Sequence, residues 1–517
     1  MTALTVDRLS STVHGADRAQ ASRVRRLLGE LAERRLDEAL RAAELPTGLW
    51  CLRRLDVSVR MDFGRGDLAL ARDWADTLVG ALRAALAQRP GEVAHFVDLR
   101  HALADLVGSV ALGRTDRGWA WRRVDLLGAN DPEPADAPRE AIVAALRRHP
   151  RYALAALLAA LREAGPAALQ RVLGATGWTA VAQALLAAGG VPPGGLRAVA
   201  GSVRGLSAAG EPPGAGRSPG VGGSAASREV SPGVGGLAAV SREALPGGGR
   251  SLSGDGSPEV DRPLPAEDSP AVDPRDRAAA AILARSAAAG ALVRSRLRPD
   301  PDTVAAWAVL VLAEAEPGAF ARADAPAVLA RVAAQLAPGA MKVPLLAFNA
   351  SNGTFMAPVP TEWAGLPFLL ATAQDAGVPA RLLADPVLAA RPLRWVLHGL
   401  ATRLVPLSED DPAALAFCGL DPAQVPPTVD ASPASRAEHE ALTAHACRWA
   451  AVTEERLDPG TQVAHIARRH GCVQGEPGWL ELVLPLHEVD LAVRRAGLDV
   501  DPGWVPWLGA VVRFRYE

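Results

Sequence analysis

The clearest alternation of hydrophobic and polar positions lies in the last stretch of the chain, residues 479–517. Every second residue is apolar from Leu480 to Leu486 and again from Val512 to Tyr516, which is the period of a strand with one buried face. Between these runs, the sequence HEVDLAVRRAG carries apolar residues at helical spacing and ends at Gly497, a residue typical of helix ends. The pattern predicts a strand, a helix, a turn and a second strand.

The predicted turn carries two large rings, Trp504 and Trp507, on either side of Pro506. They have two interpretations. The rings close a small core over the two strands, or they anchor a partner chain, because tryptophan is enriched at the energetic centres of interfaces. In the second interpretation the candidate partner-binding residues are Trp479, Trp504, Trp507, Phe514 and Tyr516.

The first part of the chain mixes helical and strand periods. Residues 17–44 and the stretch from Asp67 carry apolar residues three and four apart, which predicts two amphipathic helices. Strict alternation from Leu55 to Phe63 predicts a strand between them. A third helix is expected over Glu92–Leu112, and Trp119–Val124 is interpreted as a short strand. We expect residues 1–128 to form an α+β domain.

The middle of the chain consists of two stretches that differ in composition. Residues 129–188 predict short alanine- and leucine-rich helices, an extension that must pack on something else because such helices are marginal alone. In residues 189–274 the sequence SPGVGG at 218–223 recurs at 231–236. Few large apolar residues occur there, which predicts a disordered linker rich in glycine, proline and serine.

Residues 275–517 are expected to form a mainly helical C-terminal domain that ends in the strand–helix–strand unit. Four of its predicted helices are the one carrying AGLPFLLATAQDAG, one over Leu382–Leu404, one over 434–457 and a shorter one over 461–470. The predicted fold class is therefore α+β and predominantly α-helical, with two folded regions joined by the linker.

Composition and charge exclude several classes of partner. The chain is 49% hydrophobic and 22% charged, as is typical of soluble globular proteins, and its formal net charge is −2. Such a balance supplies no positive field for nucleic acid or an anionic membrane. Four cysteines in 517 residues form no disulfide framework, and no signal peptide or spanning segment is evident. These features favour the cytoplasm.

Candidate chemistry is sparse. Six possible metal ligands fall within one stretch, namely His439, His445, Cys447, His465, His470 and Cys472. Their spacing departs from the paired ligands of structural zinc sites, so buried cysteines and surface histidines are expected instead of a metal. No GxSxG, Walker or GxGxxG motif stands between a predicted strand and helix. We therefore predict no enzymatic activity, no cofactor and no small-molecule substrate.

The terminal stretch resembles the C-terminus of the contractile injection system tape-measure family, whose members belong to phage-tail-like particles. The resemblance rests on a tryptophan-led strand, Asp490 opening a helix, and the Pro506–Trp507 turn before a terminal aromatic strand. It extends to Ala364–Leu370 and to the helix-then-strand pattern near the N-terminus.

The resemblance implies a non-enzymatic structural or assembly component of a contractile, phage-tail-like particle. Such a component binds other particle subunits in the tube, baseplate or cap, and it sets or caps the length of the tube. The alternative hypothesis is a cytoplasmic adaptor module that binds proteins unrelated to the particle.

Overall fold

The computed structural model describes residues 12, 14, 17–190, 274–337 and 357–517, apart from residues 44, 46–47, 89–91, 423 and 430. The predicted linker, 189–274, lies almost wholly outside the described residues. The described part of the chain is α+β and mostly helical, which confirms the predicted class.

The first helices form a small hairpin, called here the N-terminal hairpin. Helix α1 (Arg18–Glu30) continues through a π-helical turn (Leu31–Arg35) into α2 (Leu36–Ala42) and packs on α3 (Asp67–Gln88). The side chain of Asp17 caps α1 by accepting a hydrogen bond from the Gln20 backbone N–H at 2.8 Å, as a helix start requires. Both predicted helices are confirmed.

Two strand predictions in this region are wrong. Residues Leu55–Phe63 alternate in exposure as expected, but they form no strand, because no other described strand pairs with them. The real pair is β1 (Leu49–Leu52) with β2 (Val93–Phe96), antiparallel. The stretch Trp119–Val124 is helical (Gly118–Arg123) and buries Trp121. The alternation of apolar and polar residues alone does not distinguish a paired strand from an extended loop.

The larger part of the first half is the helical core. Its helices are α4 (Leu99–Ala111), α5 (Gly118–Arg123), α6 (Pro138–Arg148), α7 (Pro150–Glu163), α8 (Gly165–Ala188), α9 (Pro274–Arg285), α10 (Ala287–Arg294), α11 (Pro301–Ala315) and α12 (Ala325–Leu336). Helix α11 is buried on every side from Thr303 to Ala315. A helix that is apolar all round belongs in an interior, and helices α7, α8, α9, α10 and α12 pack around it.

This packing groups the segments differently from the predicted division. Helices α9 to α12, assigned from sequence to the C-terminal domain, share one hydrophobic core with α4 to α8. Residues 93–128, assigned to the first domain, belong to that same core, whereas α1 to α3 have a separate small cluster. The physical reason is that α11 needs apolar neighbours on all sides, and α7 and α8 supply them.

Residues 357–517 form the C-terminal region, which has its own core. Its elements are β3 (Val359–Thr361), a 3-10 helix (Leu366–Thr372), α13 (Ala380–Ala384), α14 (Leu393–Leu404), α15 (Pro412–Phe417), α16 (Arg436–Glu454), α17 (Val463–Ala467), β4 (Gly471–Glu476), β5 (Trp479–Leu484), a second 3-10 turn (Leu486–Glu488), α18 (Leu491–Arg495), β6 (Gly503–Val505) and β7 (Ala510–Tyr516). Helix α16 confirms the predicted long helix. The helix expected over Leu382–Leu404 is two helices, and the one over 461–470 has only five residues.

The sheet of this region has five strands in the order β3-β4-β5-β7-β6. Strands β5 and β7 are parallel neighbours, with Trp479 beside Val511 and Leu484 beside Tyr516. A parallel pair needs a crossover connection, and residues 485–509, with α18 and β6, provide it. Both outer strands are short and bear or adjoin prolines: Pro360 lies in β3, and Pro502 and Pro506 flank β6. Such edges discourage pairing with another chain.

Candidate partner-binding site

The terminal stretch folds as its pattern predicts. Asp490 caps α18, because its Oδ1 accepts from the Ala492 backbone N–H at 2.8 Å. The helix ends at Gly497, whose φ of +70° suits glycine, and Leu498 N–H returns to the Val493 carbonyl. The predicted strand–helix–turn–strand unit is confirmed, with the additional strand β6 in the turn.

Trp479 lies inside the molecule, where the C-terminal region meets the helical core. Its side chain is 6% exposed. The Arg100 guanidinium lies 4.7 Å from the ring centroid, and the Tyr152 ring lies 6.1 Å away. Arg100 also pairs with Glu476 on the adjoining strand β4. Cation–π and ion-pair contacts of this kind fasten α4 to the β4–β5 hairpin.

The two turn tryptophans contact different parts of the protein. Trp504 donates from Nε1 to the Ala188 carbonyl at 2.9 Å, at the C-terminal end of α8. That carbonyl is one of the last in its helix and needs a donor from outside. Trp507 is half-buried and packs against the core of the C-terminal region. In this structure both rings engage the protein itself.

The two rings of the last strand are also engaged internally. Phe514 contacts Phe368 edge to face, with the centroids 4.9 Å apart. The Tyr516 hydroxyl donates to Asp499 Oδ2 at 3.2 Å, and Arg494 contacts the same oxygen at 2.8 Å. Burial, aided by the Asp499 carboxylate, raises the pKa of Tyr516 to about 12. The phenol therefore stays protonated and keeps donating to Asp499.

The exposed apolar side chains of the block lie instead on the crossover connection. We call Leu486, Val489, Leu491 and Val500 the apolar crossover; Leu486 is 66% exposed, Leu491 67% and Val500 62%. The prediction that Leu486 continues the buried face of the strand is wrong, because Pro485 follows the end of β5 and turns the chain away. Sequence reasoning missed this surface, although the position of Pro485 was a usable signal.

A concave surface lies between the helical core and the C-terminal region. This cleft has a volume of about 2010 Å³. Small-molecule pockets are about 300–1,000 Å³. Its floor includes Glu314, which is buried and accepts from Ser286 Oγ at 2.5 Å and from the Ala287 and Ala288 backbone N–H groups at 3.1 Å. Burial raises the pKa of Glu314.

The candidate metal ligands do not converge in the described structure. His445 Nε2 pairs with Asp385 at 2.8 Å, and His439 Nδ1 lies 2.6 Å from the Arg403 guanidinium, while Cys447 is exposed. Across the residues described, no three His, Cys, Asp or Glu side chains form a ligand group. Cys418 is buried, which raises the pKa of its thiol to about 12, so it is not a thiolate nucleophile at neutral pH.

No protein-family model matches the chain, and no curated protein or solved structure matches it at a significant level. The family resemblance therefore stays a prediction from the sequence. In the part of the chain that the structure describes, no helix is long and apolar enough to cross a lipid bilayer.

Proposed function

We propose that the protein is a non-enzymatic assembly component of a contractile, phage-tail-like injection particle and that it binds other protein subunits of the tube, baseplate or cap. We place this role in the cytoplasm, where such a particle is built. The proposal joins the resemblance of the terminal block to the surface chemistry of that same block.

The observation that supports it most is the apolar crossover. Its leucine and valine side chains are exposed on one connection, and a partner protein that covers exposed apolar area gains roughly 25 cal/mol per Å². Two aromatic rings of the block, Trp479 and Trp504, contact the helical core. The other three contact the C-terminal region itself. The block is thus attached to the helical core, while the side chains of the apolar crossover stay exposed, as a docking element needs.

A capping or assembly role fits the described residues better than a ruler role. A ruler lies extended along the tube, so its number of residues limits the length that it can set. A wholly helical chain of this length would reach about 780 Å at most. The described residues instead bury their apolar side chains in folded cores. Any length-setting part of the chain would then lie in residues 189–274.

The test of the proposal is co-purification. The particle is isolated from cells that express a tagged copy of this chain, and the bound chain is quantified against a tube subunit. We expect a fixed ratio across preparations. If the chain is absent from intact particles and their assembly precursors, and cells lacking it build normal particles, the proposal fails and the unrelated adaptor is favoured.

A deletion separates the ruler from the cap. Removing about half of residues 200–270 leaves the described cores untouched. We expect particles of normal length by electron microscopy. Shortening in proportion to the deletion would assign the ruler role to this segment.

A further inference from the structure

Helices from before and after the linker pack together in the helical core. We call the described residues up to 190 the first half of the chain and those from 274 onward the second half. Helix α11 of the second half packs on α7 and α8 of the first half. Trp178 of α8 and Trp307 of α11 meet there edge to face, with centroids 6.2 Å apart, and both rings are buried. Each half therefore covers apolar surface of the other.

The two halves also meet where the C-terminal region contacts the helical core. Trp504 of the second half donates to the Ala188 carbonyl of the first half at 2.9 Å. At the turn between β4 and β5, Gly478 lies against α7, and a Cβ atom on this glycine would come within 3.2 Å of the Ala155 Cβ. That distance is shorter than an ordinary contact between carbon atoms. Such close approach requires the two halves to keep one fixed position.

The two ends of the linker are attached to neighbouring parts of the second half. Where the chain enters the linker, Gly189 lies beside Phe320. Where the chain leaves it, Asp276 forms an ion pair with Arg331. The stretch 320–331 would span at most about 40 Å if extended, and most of it is helical. The linker therefore starts from one folded body and returns to the same body.

We propose that the first half and the second half recognise each other through the contact of α11 with α7 and α8, and that the folded body stays whole when the chain is cut within residues 191–273. The interaction surface is the face of α7 and α8, and its partner is a helix of the same chain. Apolar burial on every side of α11 holds that helix in place. This pairing is independent of the proposed particle role.

Fixed ends also limit the reach of the linker. The 83 residues between Gly190 and Pro274 would span about 290 Å if fully extended. With both ends on one body, no point of this stretch lies farther than about half that length from the body. A stretch that leaves one body and returns to it does not join the two ends of a tube, as a ruler must. This limit supports the capping or assembly role.

The first experiment cuts the folded full-length protein. A recognition sequence for a site-specific protease is placed between the two SPGVGG repeats, and the purified protein is cleaved without denaturant. We expect the two fragments to elute together from a size-exclusion column at the position of the uncut chain. The melting temperature should depend on protein concentration after cleavage but not before it, because unfolding then separates two chains. Fragments that separate and melt independently would overturn the proposal.

The second experiment measures the distance between the two ends of the linker. Spin labels on non-natural residues replace Ala187 of α8 and Ala278 of α9, two exposed alanines, in the full chain, in the cleaved chain and in a chain lacking about half of residues 200–270. We expect one narrow distance distribution that is the same in all three. A broad distribution that moves to shorter distances in the deletion variant is the behaviour of two separate domains, and it would contradict the proposal.

Discussion

A pair of buried tryptophans in the helical core and a buried tryptophan in the core of the C-terminal region are held in different ways. In the helical core, Trp178 and Trp307 meet edge to face with centroids 6.2 Å apart, and neither indole nitrogen reaches an acceptor among the described residues. In the C-terminal region, Trp449 Nε1 donates to the Leu369 carbonyl and to Thr372 Oγ1, both at 3.1 Å. The Trp178–Trp307 pair relies on packing alone, and Trp449 adds hydrogen bonds to its packing.

The difference follows from how each core is assembled. Regular helices satisfy their own backbone groups, so few backbone carbonyls are free to accept from an indole between the alanine and leucine faces of the helical core. The C-terminal region contains short and 3-10 helices whose carbonyls remain open, and side chains such as Trp449 and Thr372 satisfy them. Irregular backbone therefore brings polar contacts into an apolar interior.

The largest expected effect comes from removing a ring from either core. Trp178→Ala and Trp449→Ala each delete a side chain that is at most 1% exposed, so each should lower the free energy of unfolding by about 3–5 kcal/mol. Chemical denaturation of both variants measures the loss. Losses below about 1 kcal/mol in one variant would mean that the ring is not part of a packed interior.

A smaller effect is expected at an ion pair in the C-terminal region. The Arg391 guanidinium contacts both oxygens of Glu438, at 2.6 and 3.0 Å, and holds the pKa of that carboxyl at about 2. Because the folded pKa lies below the unfolded value, the pair stabilises the protein above about pH 4.5, and this contribution is lost as the pH falls toward 2.

Glu438→Gln should therefore lower the free energy of unfolding at pH 7 by about 2 kcal/mol. The difference in the free energy of unfolding between the variant and the wild type should become smaller as the pH falls from about 4.5 toward 2. Denaturation curves at pH 7 and pH 3 measure it. If this difference in unfolding free energy is the same at pH 7 and at pH 3, the pKa assigned to Glu438 is contradicted.

Trp→Phe substitutions test how much the indole hydrogen bond contributes to each core. Trp→Phe keeps much of the ring volume but removes the indole N–H. At Trp449 the change leaves its two acceptors without this donor, whereas at Trp178 it deletes a donor that has no described partner. We expect Trp449→Phe to cost about 1 kcal/mol more than Trp178→Phe. Equal costs in denaturation would show that hydrogen bonding does not distinguish the two interiors.

The smallest stability effect is expected at the apolar crossover. Leu491 is the first residue of α18 and is exposed, so Leu491→Asp removes little packing and places a negative charge at a helix N-terminus, where it is favourable. We expect the free energy of unfolding to change by at most about 0.5 kcal/mol. A large drop in the melting temperature would mean that Leu491 supports the fold and is not available to a partner.

The sequence pattern predicted those helices and strands in which the spacing of apolar residues agrees with the face that is buried in the structure. The amphipathic helices of the N-terminal hairpin and the strand–helix–strand unit at residues 479–517 were found because apolar spacing and end residues agreed there. The strand expected over Leu55–Phe63 failed because pairing is a long-range property that alternation does not contain. The shared core of α7, α8 and α11 was missed for the same reason.

The candidate site was only partly predictable. The five aromatic residues were singled out as candidate partner-binding residues, with closure of a small core as the other interpretation of Trp504 and Trp507, and the sequence could not decide between inward and outward orientation. That choice depends on Arg100, Ala188 and Phe368, which are distant along the chain. The cleft was invisible from sequence, because its floor joins Glu316 and Arg394 only after two cores have packed together.

We propose that the protein assembles into the particle through the exposed surface of its terminal block. The most direct measurement counts intact particles by electron microscopy in cells carrying the double variant Leu486→Asp, Leu491→Asp. The matched control is Leu68→Asp, which changes an exposed leucine of α3 on the N-terminal hairpin. We expect a folded double variant, loss of intact particles and a normal particle count for the control. Normal particles that contain the double variant at the wild-type ratio would contradict it.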